Sequence, residues 1–261
     1  MKKTPYNQKR ANEIGERIKS FEFKAPQSYT PNVLIHGQQG QGKTHLACSI
    51  STSSKKPVYF LDSEGKGSIV TAKFDNIKYA QFRTWEDLFV SSVAVSKLDP
   101  GWLIIDSASD MQTYACEDYL EETKRDKIYP IFEWTNVFQR MDSVMNLLKQ
   151  KGFGLIMTAR MKDEYVGDQT TGKKVPRIYN RIPYDVDLVL SLENEKLFVE
   201  KNGFTKDLGS SKPQELNRNI DLYTHIGSLY AECKNTVDIK EKKNTSNGVL
   251  SNQTKSQEIN A

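Results

Sequence analysis

The sequence predicts an α/β domain: a mostly parallel, twisted sheet with helices on both faces, closed by β-strands at its C-terminal side. Three observations predict it. Short apolar runs ending in or just after glycine or aspartate, "NVLIHG", "PVYFLD" and "GWLIIDS", have the length and continuity of buried strands. Segments with apolar residues at helical spacing alternate with them, the order that builds a parallel sheet. The stretch from Gly37 to Thr44, "GQQGQGKT", spells G-x-x-x-x-G-K-T between one such strand and a helical segment, where that pattern can cradle phosphate.

Each element follows in order. Residues 1–31 are polar and basic and read as an arm with a short helix around Ala11–Ser20. The strand in "NVLIHG" leads into the glycine-rich loop and a helix carrying Leu46, Ala47 and Ile50. "PVYFLD" is the second strand and "IKYAQF" (Ile77–Phe82) the third, followed by a helix in "TWEDLFVSSVAVSKL". "GWLIIDS" is the clearest buried strand. The polar, mixed-charge stretch Ala108–Tyr129 reads as a lid or a subunit contact. "IFEWTNVFQRMDSVMNLLKQKG" places Val137, Met141, Val144, Leu147 and Leu148 on one helical stripe, with Gly152 as a stop. "FGLIMTA" is a strand, residues 160–184 hold a mobile hairpin with turn-rich Asp168–Gly172, and "DVDLVLSLE" and "KLFVEKNG" close the fold as antiparallel strands. The domain spans 32–233. From Lys234 to Ala261 the composition turns to Lys, Asn, Ser, Thr and Gln, an expected disordered tail.

The bulk numbers narrow the classes. A chain of 261 residues suits one decorated α/β domain or two small ones. A net charge of +4 says little by itself, so partners must be argued from where the charge sits. Cys48, Cys116 and Cys233 form no C-x-x-C pair and suit a reducing compartment. No apolar run approaches the ~18 residues of a membrane span, so a cytoplasmic protein with no membrane partner is expected.

The chemistry starts at the loop. Gly37, Gln38, Gln39, Gly40, Gln41, Gly42, Lys43, Thr44 and His45 are the expected nucleotide-binding residues: backbone N–H groups and a helix N-terminus face phosphate. Lys43 would reach the β- and γ-phosphates and the Thr44 hydroxyl would ligate Mg²⁺. Asp106, ending an apolar strand, is the expected second metal residue. No N-K-x-D guanine reader occurs in a suitable place, so ATP is the expected nucleotide. Hydrolysis needs a carboxylate to polarise water. The position directly after Asp106 is Ser107, which cannot serve, so Glu64 in "FLDSEGKG" is the expected base.

The trio "GQQGQGKT", "FLDSEGKG" and "LIIDSASD", in this order and spacing, resembles RecA-like ATPases. Over roughly Asn32 to Phe204 the chain is similar to one branch, the phage nucleotide-binding proteins that include single-strand annealing recombinases of the fourth Sak group. The segments "IMTARMKDEY" and "TGKKVPRIYNRIPYDVDLVLSL" carry that likeness. It implies single-stranded DNA as partner, assembly into a ring or filament, work alongside a single-strand binding protein, and the cytoplasm of a bacterial host. It also implies that Arg160, where the branch often has histidine, senses the γ-phosphate as a third catalytic residue.

Lys173, Lys174, Arg177 and Arg181 form a basic run without an acid, interleaved with Tyr179, so phosphate contacts with base stacking are expected there. Lys162 and Arg177 are the expected cations acting across a subunit boundary. Two other readings stay open from sequence: a helicase loader or other AAA+ remodelling ATPase, which Ser107 disfavours, and a small-molecule P-loop kinase, for which Arg125 or Arg160 would serve a lid. Deleting Lys234–Ala261 is expected to leave the melting temperature nearly unchanged, because those residues bring little apolar surface to a core; thermal denaturation of the truncated chain checks it.

Overall fold

A computed structural model of the chain describes residues 5–19, 30–128, 133–204 and 213–231. The expected tail lies outside them. The arm's helix runs Pro5–Lys19 (α1), longer at its N-terminal end than the sequence reading.

The main sheet alternates with helices as expected. β1 (Val33–Gly37), β2 (Val58–Asp62), β3 (Ile77–Gln81), β4 (Trp102–Asp106) and β5 (Gly154–Ala159) are all parallel to their neighbours in this group. β8 (Leu188–Glu193) lies parallel to β1 on its other side. β9 (Lys196–Asn202) and β10 (Gln214–Leu216) then extend the edge antiparallel. The full order is β10-β9-β8-β1-β5-β4-β2-β3, eight strands, so the fold class read from the sequence is the one observed. The strand β10 was not read from sequence: three residues carry too little pattern.

Period-two alternation splits the core into two layers. Leu34, Leu61, Leu103, Ile105, Leu155 and Met157 face α5 (Trp85–Val95), α6 (Ala108–Thr123) and α7 (Trp134–Gln150). Val33, Ile35, Val58, Phe60, Ile104 and Ile156 face the opposite way, onto α2 (Lys43–Cys48), α3 (Ile50–Ser53) and a helix over 222–231 that contributes Leu222, Ile226 and Leu229. Both faces are covered, which explains why these strands read as continuous apolar runs.

Two sequence expectations are corrected here. Ala108–Tyr129 is neither lid nor exposed contact along most of its length. Its first part is α6, capped by the Ser107 hydroxyl accepting from the Asp110 N–H, with Ala108, Met111, Ala115 and Tyr119 buried. Small and acidic residues dilute that stripe, so the sequence reads as polar. The hairpin also sits earlier than expected. β6 (Met161–Val166) pairs antiparallel with β7 (Gln169–Pro176) around Gly167 and Asp168, so Gly172 lies inside a strand rather than in the turn. The rest of 160–184 is irregular backbone leading into the short α8 (Ile182–Asp185).

Close packing makes Gly154 a critical position. A Cβ there would approach the Thr30 methyl to 2.4 Å and the Trp102 ring to 2.7 Å. Gly154→Ala is expected to destabilise the domain by about 1–3 kcal/mol, the usual scale of overpacking, read as a melting temperature several degrees lower.

Candidate functional site

The carboxyl ends of the parallel strands gather the chemistry, as expected in a sheet of this kind. β1 ends at Gly37 and the glycine-rich loop arches over to α2. Gly40 and Gly42 take φ of 81° and 87°, a left-handed backbone that favours glycine. Gln39, Gly40, Gly42, Lys43, Thr44 and His45 line a cleft of about 560 Å³, and Asp62, Glu64, Asp106 and Arg160 face it from the neighbouring strand ends. His45 is exposed and sets its ring edge-on to Phe74. Gly37, Gln38 and Gln41 lie elsewhere: they line a second cleft, behind the loop, with the hairpin lysines.

The Lys43 ammonium donates to the carbonyls of Gly37 (2.9 Å) and Gln38 (2.8 Å). Burial lowers its pKa, against the attraction of Asp106 and Glu64. Thr44 donates its hydroxyl to Asp106 Oδ2 at 2.6 Å, and Thr158, on β5, donates to Asp106 Oδ1. Asp106 is 9% exposed. Burial raises its pKa, the two threonine bonds pull it down, and the charges of Glu64 and Asp62 push it up again, so the net shift is upward.

Asp62, which the sequence reading left without a role, anchors the loop carrying Glu64. Its Oδ1 accepts from the N–H of Glu64 (2.8 Å) and Gly65 (3.0 Å), and its Oδ2 from Gly67 N–H (2.8 Å) and the Tyr79 hydroxyl (2.7 Å). Arg83 adds a bond to the Ser63 carbonyl. Both oxygens of this carboxylate are therefore occupied, by backbone N–H groups and the Tyr79 hydroxyl, and the turn they shape presents Glu64 to the cleft.

Glu64 meets Arg160. Arg160 Nε and Nη2 donate to Glu64 Oε1 at 3.1 and 2.6 Å, and Nη2 also donates to Asp110 Oδ2 at 2.8 Å. Asp110 is fixed by the hydroxyls of Ser63 (2.6 Å) and Ser107 (3.2 Å). Neither Asp110 nor Arg218, which donates to the Gln41 carbonyl at 2.7 Å, was found from sequence. "DSASD" did hold a signal for Asp110, a serine cap with an acid three residues on; Arg218 comes from a segment with none.

The AAA-domain family pattern matches residues 30–245, most of the chain and all of this site. The chain belongs to the AAA-domain family. It carries an ATPase domain of the P-loop type. Among solved structures it is similar to an ATPase from the type III secretion system of pathogenic bacteria, at 14% identity, covering 64% of this chain and 53% of that one, TM-score 0.48. It is also similar to the assembled ATPase EscN, solved in complex with its central stalk EscO from enteropathogenic E. coli, at 13% identity, 83% and 54% coverage, TM-score 0.48. A Pyrococcus horikoshii OT3 protein matches at 13% identity, 79% and 98% coverage, TM-score 0.36. The chain spans about half the length of the first two. A comparison with curated proteins gives no match. Among the described residues of the AAA domain, no helix is long and apolar enough to cross a membrane.

The basic run of the AAA domain divides between different environments. Lys173 and Lys174 line the cleft behind the P-loop, with Lys174 paired to Asp163 at 2.6 Å. Arg177 is exposed, its N–H bonded to the Arg160 carbonyl at 2.6 Å. Tyr179 and Arg181 have partners within the fold. Tyr179 stacks on Phe138 with centroids 3.5 Å apart and planes 11° apart, so its ring is used in packing. Arg181 pairs with Asp142 (3.6 Å) and Asp185 (3.1 Å). Sequence showed the run free of acids, but α7 and α8 supply the partners in space.

Burial of Asp106 makes its ionisation costly to the fold. Because its pKa is raised on folding, a proton is favoured in the folded state, and ionisation costs stability as pH rises past the ordinary carboxylate range. Asp106→Asn is expected to raise the nucleotide-free melting temperature at pH 7 while losing ATP hydrolysis. The melting difference should narrow as pH falls toward about 4, the ordinary carboxylate range; paired melts across that range check the sign.

Proposed function

We propose that this AAA domain is a Mg²⁺-dependent ATPase that acts with single-stranded DNA in phage-type recombination or annealing. The observation that carries the reading is a short covalent path. Arg160 holds the carboxylate of Glu64 in the nucleotide cleft, and the next residue, Met161, begins the hairpin bearing Lys162, Lys173, Lys174 and Arg177. One side chain thus joins the hydrolytic group to the basic segment. Ser107 after Asp106, with the acid placed instead on the loop after β2, favours this reading over a helicase loader or other remodelling ATPase.

The residues present fit the metal. A threonine hydroxyl on a buried aspartate gives hard oxygen donors. Among the described residues no cluster of three or more His, Cys, Asp or Glu side chains could hold an ion alone, so most ligands would be phosphate and water. Bound Mg²⁺ would supply charge neutralisation at the phosphates. Thr44 would bind the ion directly and Asp106 would orient its water shell. Lys43 would leave the Gly37 and Gln38 carbonyls for the phosphate chain, and the loop N–H groups would hold that chain in line. Glu64, once free of Arg160, would orient and polarise the attacking water. Arg160, drawn to the γ-phosphate by a charge-assisted bond, would carry the nucleotide state into β6. Assembly into a ring or filament, in which a neighbouring copy would supply a cation to the site, and a single-strand binding protein as companion complete this reading.

The test is ATP turnover with and without single-stranded DNA. Wild type should be stimulated by the oligonucleotide, and Lys43→Ala should be inactive in both conditions. Glu64→Gln should bind ATP normally and hydrolyse it on the order of 10²-fold more slowly, the scale of a lost general base. Turnover indifferent to DNA would overturn the DNA reading, and unchanged single-turnover hydrolysis by Glu64→Gln would return that residue to an ordinary loop acid.

A further inference from the structure

The outer face of the hairpin carries a groove that the basic run does not describe. Lys162, Glu164, Tyr165 and Val175 wall it on one side, and Asn180, Pro183 and Tyr184 on the other; its volume is about 840 Å³. It lies between the β6–β7 ribbon and α8, whereas Lys173 and Lys174 line the separate cleft against the P-loop. The hairpin therefore divides two clefts and presents a different chemistry to each.

Two tyrosines stand out in this groove. Tyr165 is 62% exposed and Tyr184 81% exposed, unlike Tyr179, whose ring is packed on Phe138. Tyr165 lies opposite Thr170 in the β6–β7 ladder, just past a register shift after Asp163. The backbone of Tyr184 is pinned by Lys201, whose ammonium donates to the carbonyls of Pro183 (3.0 Å), Tyr184 (2.8 Å) and Val186 (2.6 Å). Exposed aromatic rings, each with only two side-chain torsions to order, offer flat faces at little entropic cost on binding.

The charge around them is graded. Asp163 is neutralised by Lys174, and Glu164 accepts from the Thr171 hydroxyl at 2.7 Å. Lys162, in the wall, and Arg177, between wall residues Pro176 and Ile178, are exposed and carry no side-chain ion pair among the described residues. Aromatic faces next to uncommitted cations are the pairing that binds single-stranded nucleic acid: bases stack, phosphates meet the cations, and the sequence matters little. A duplex keeps its bases stacked on one another and offers none to the rings.

We propose that the groove between the outer face of the hairpin and α8 is a base-stacking track for single-stranded nucleic acid, with Tyr165 and Tyr184 as the platforms and Lys162 and Arg177 as the phosphate contacts. The proposal rests on the DNA reading above and moves the stacking position away from Tyr179.

The experiment measures anisotropy of a labelled oligothymidine and fluorescence of an oligonucleotide containing 2-aminopurine, using the full chain. Tyr165→Ala and Tyr184→Ala should each weaken single-strand affinity by about fivefold to a hundredfold and remove the stacking quench of 2-aminopurine. Tyr165→Phe and Tyr184→Phe should keep both, since the ring does the stacking. Both tyrosines are exposed, so unchanged melting temperatures are expected and separate lost stacking from lost folding. If the tyrosine-to-alanine variants bind as wild type while Lys173→Ala and Lys174→Ala combined weaken binding, the groove is overturned and the DNA reading stands. If wild type shows no salt-dependent binding of single strands, both fall together.

Discussion

Asp106 is the point on which the site is built. Its carboxylate is buried at the end of β4, where it accepts from Thr44 at the start of α2 and from Thr158 on β5. Three elements from distant parts of the chain are thereby tied at one end of the sheet. Burying a charge is costly unless it is hydrogen-bonded, and burial raises the pKa of this one despite both threonines. An apolar residue would pack there at lower cost. The carboxylate suits a nearby cation, and Lys43 feels its attraction.

Registry extends the same logic sideways. Asp62 and Asp106 are paired neighbours on β2 and β4, so two acids end adjacent strands at the same height. They are given different work by their surroundings. Asp62 has its oxygens filled by backbone N–H groups and the Tyr79 hydroxyl, which shapes the turn presenting Glu64. Asp106 meets hydroxyls, groups that can rotate and share their oxygen with an ion. Spacing alone could not separate the two roles; hydrogen-bond partners do.

Much of this was legible in the sequence, and the losses have physical causes. The central strands are buried on both faces, so they stand out as apolar runs, and the P-loop needs its glycines and lysine at fixed offsets. α6 was hidden because its buried stripe uses alanine and methionine among acids. Asp110 and Arg218 were missed because their partners are far along the chain: Arg160 lies 50 residues from Asp110, and Gln41 lies 177 residues from Arg218. Tyr179 and Arg181 show the converse. A run without acids looked free, yet Phe138 and Asp142 on α7 meet it in space. Local composition reports what a segment carries, and only the fold reports what it has left over.

The Arg160 contacts show how the proposed coupling can work energetically. Its ion pair with Glu64 has both side chains more than a third exposed, at 38% and 39%. Pairs of that exposure contribute at most about 1 kcal/mol. Two donors on the single Oε1 of Glu64 fix geometry without holding it strongly. Asp110 is more buried, at 16%, and is braced by Ser63 and Ser107, so Arg160 has one firm partner and one weak one. A γ-phosphate reaching the guanidinium therefore competes mainly with Glu64. A difference in affinity of a few kcal/mol between two arrangements is enough to shift such an equilibrium by orders of magnitude. Release of Glu64 and displacement of the strand beginning at Met161 would then be one event, because the residue that lets go of the acid is the residue from which the hairpin grows.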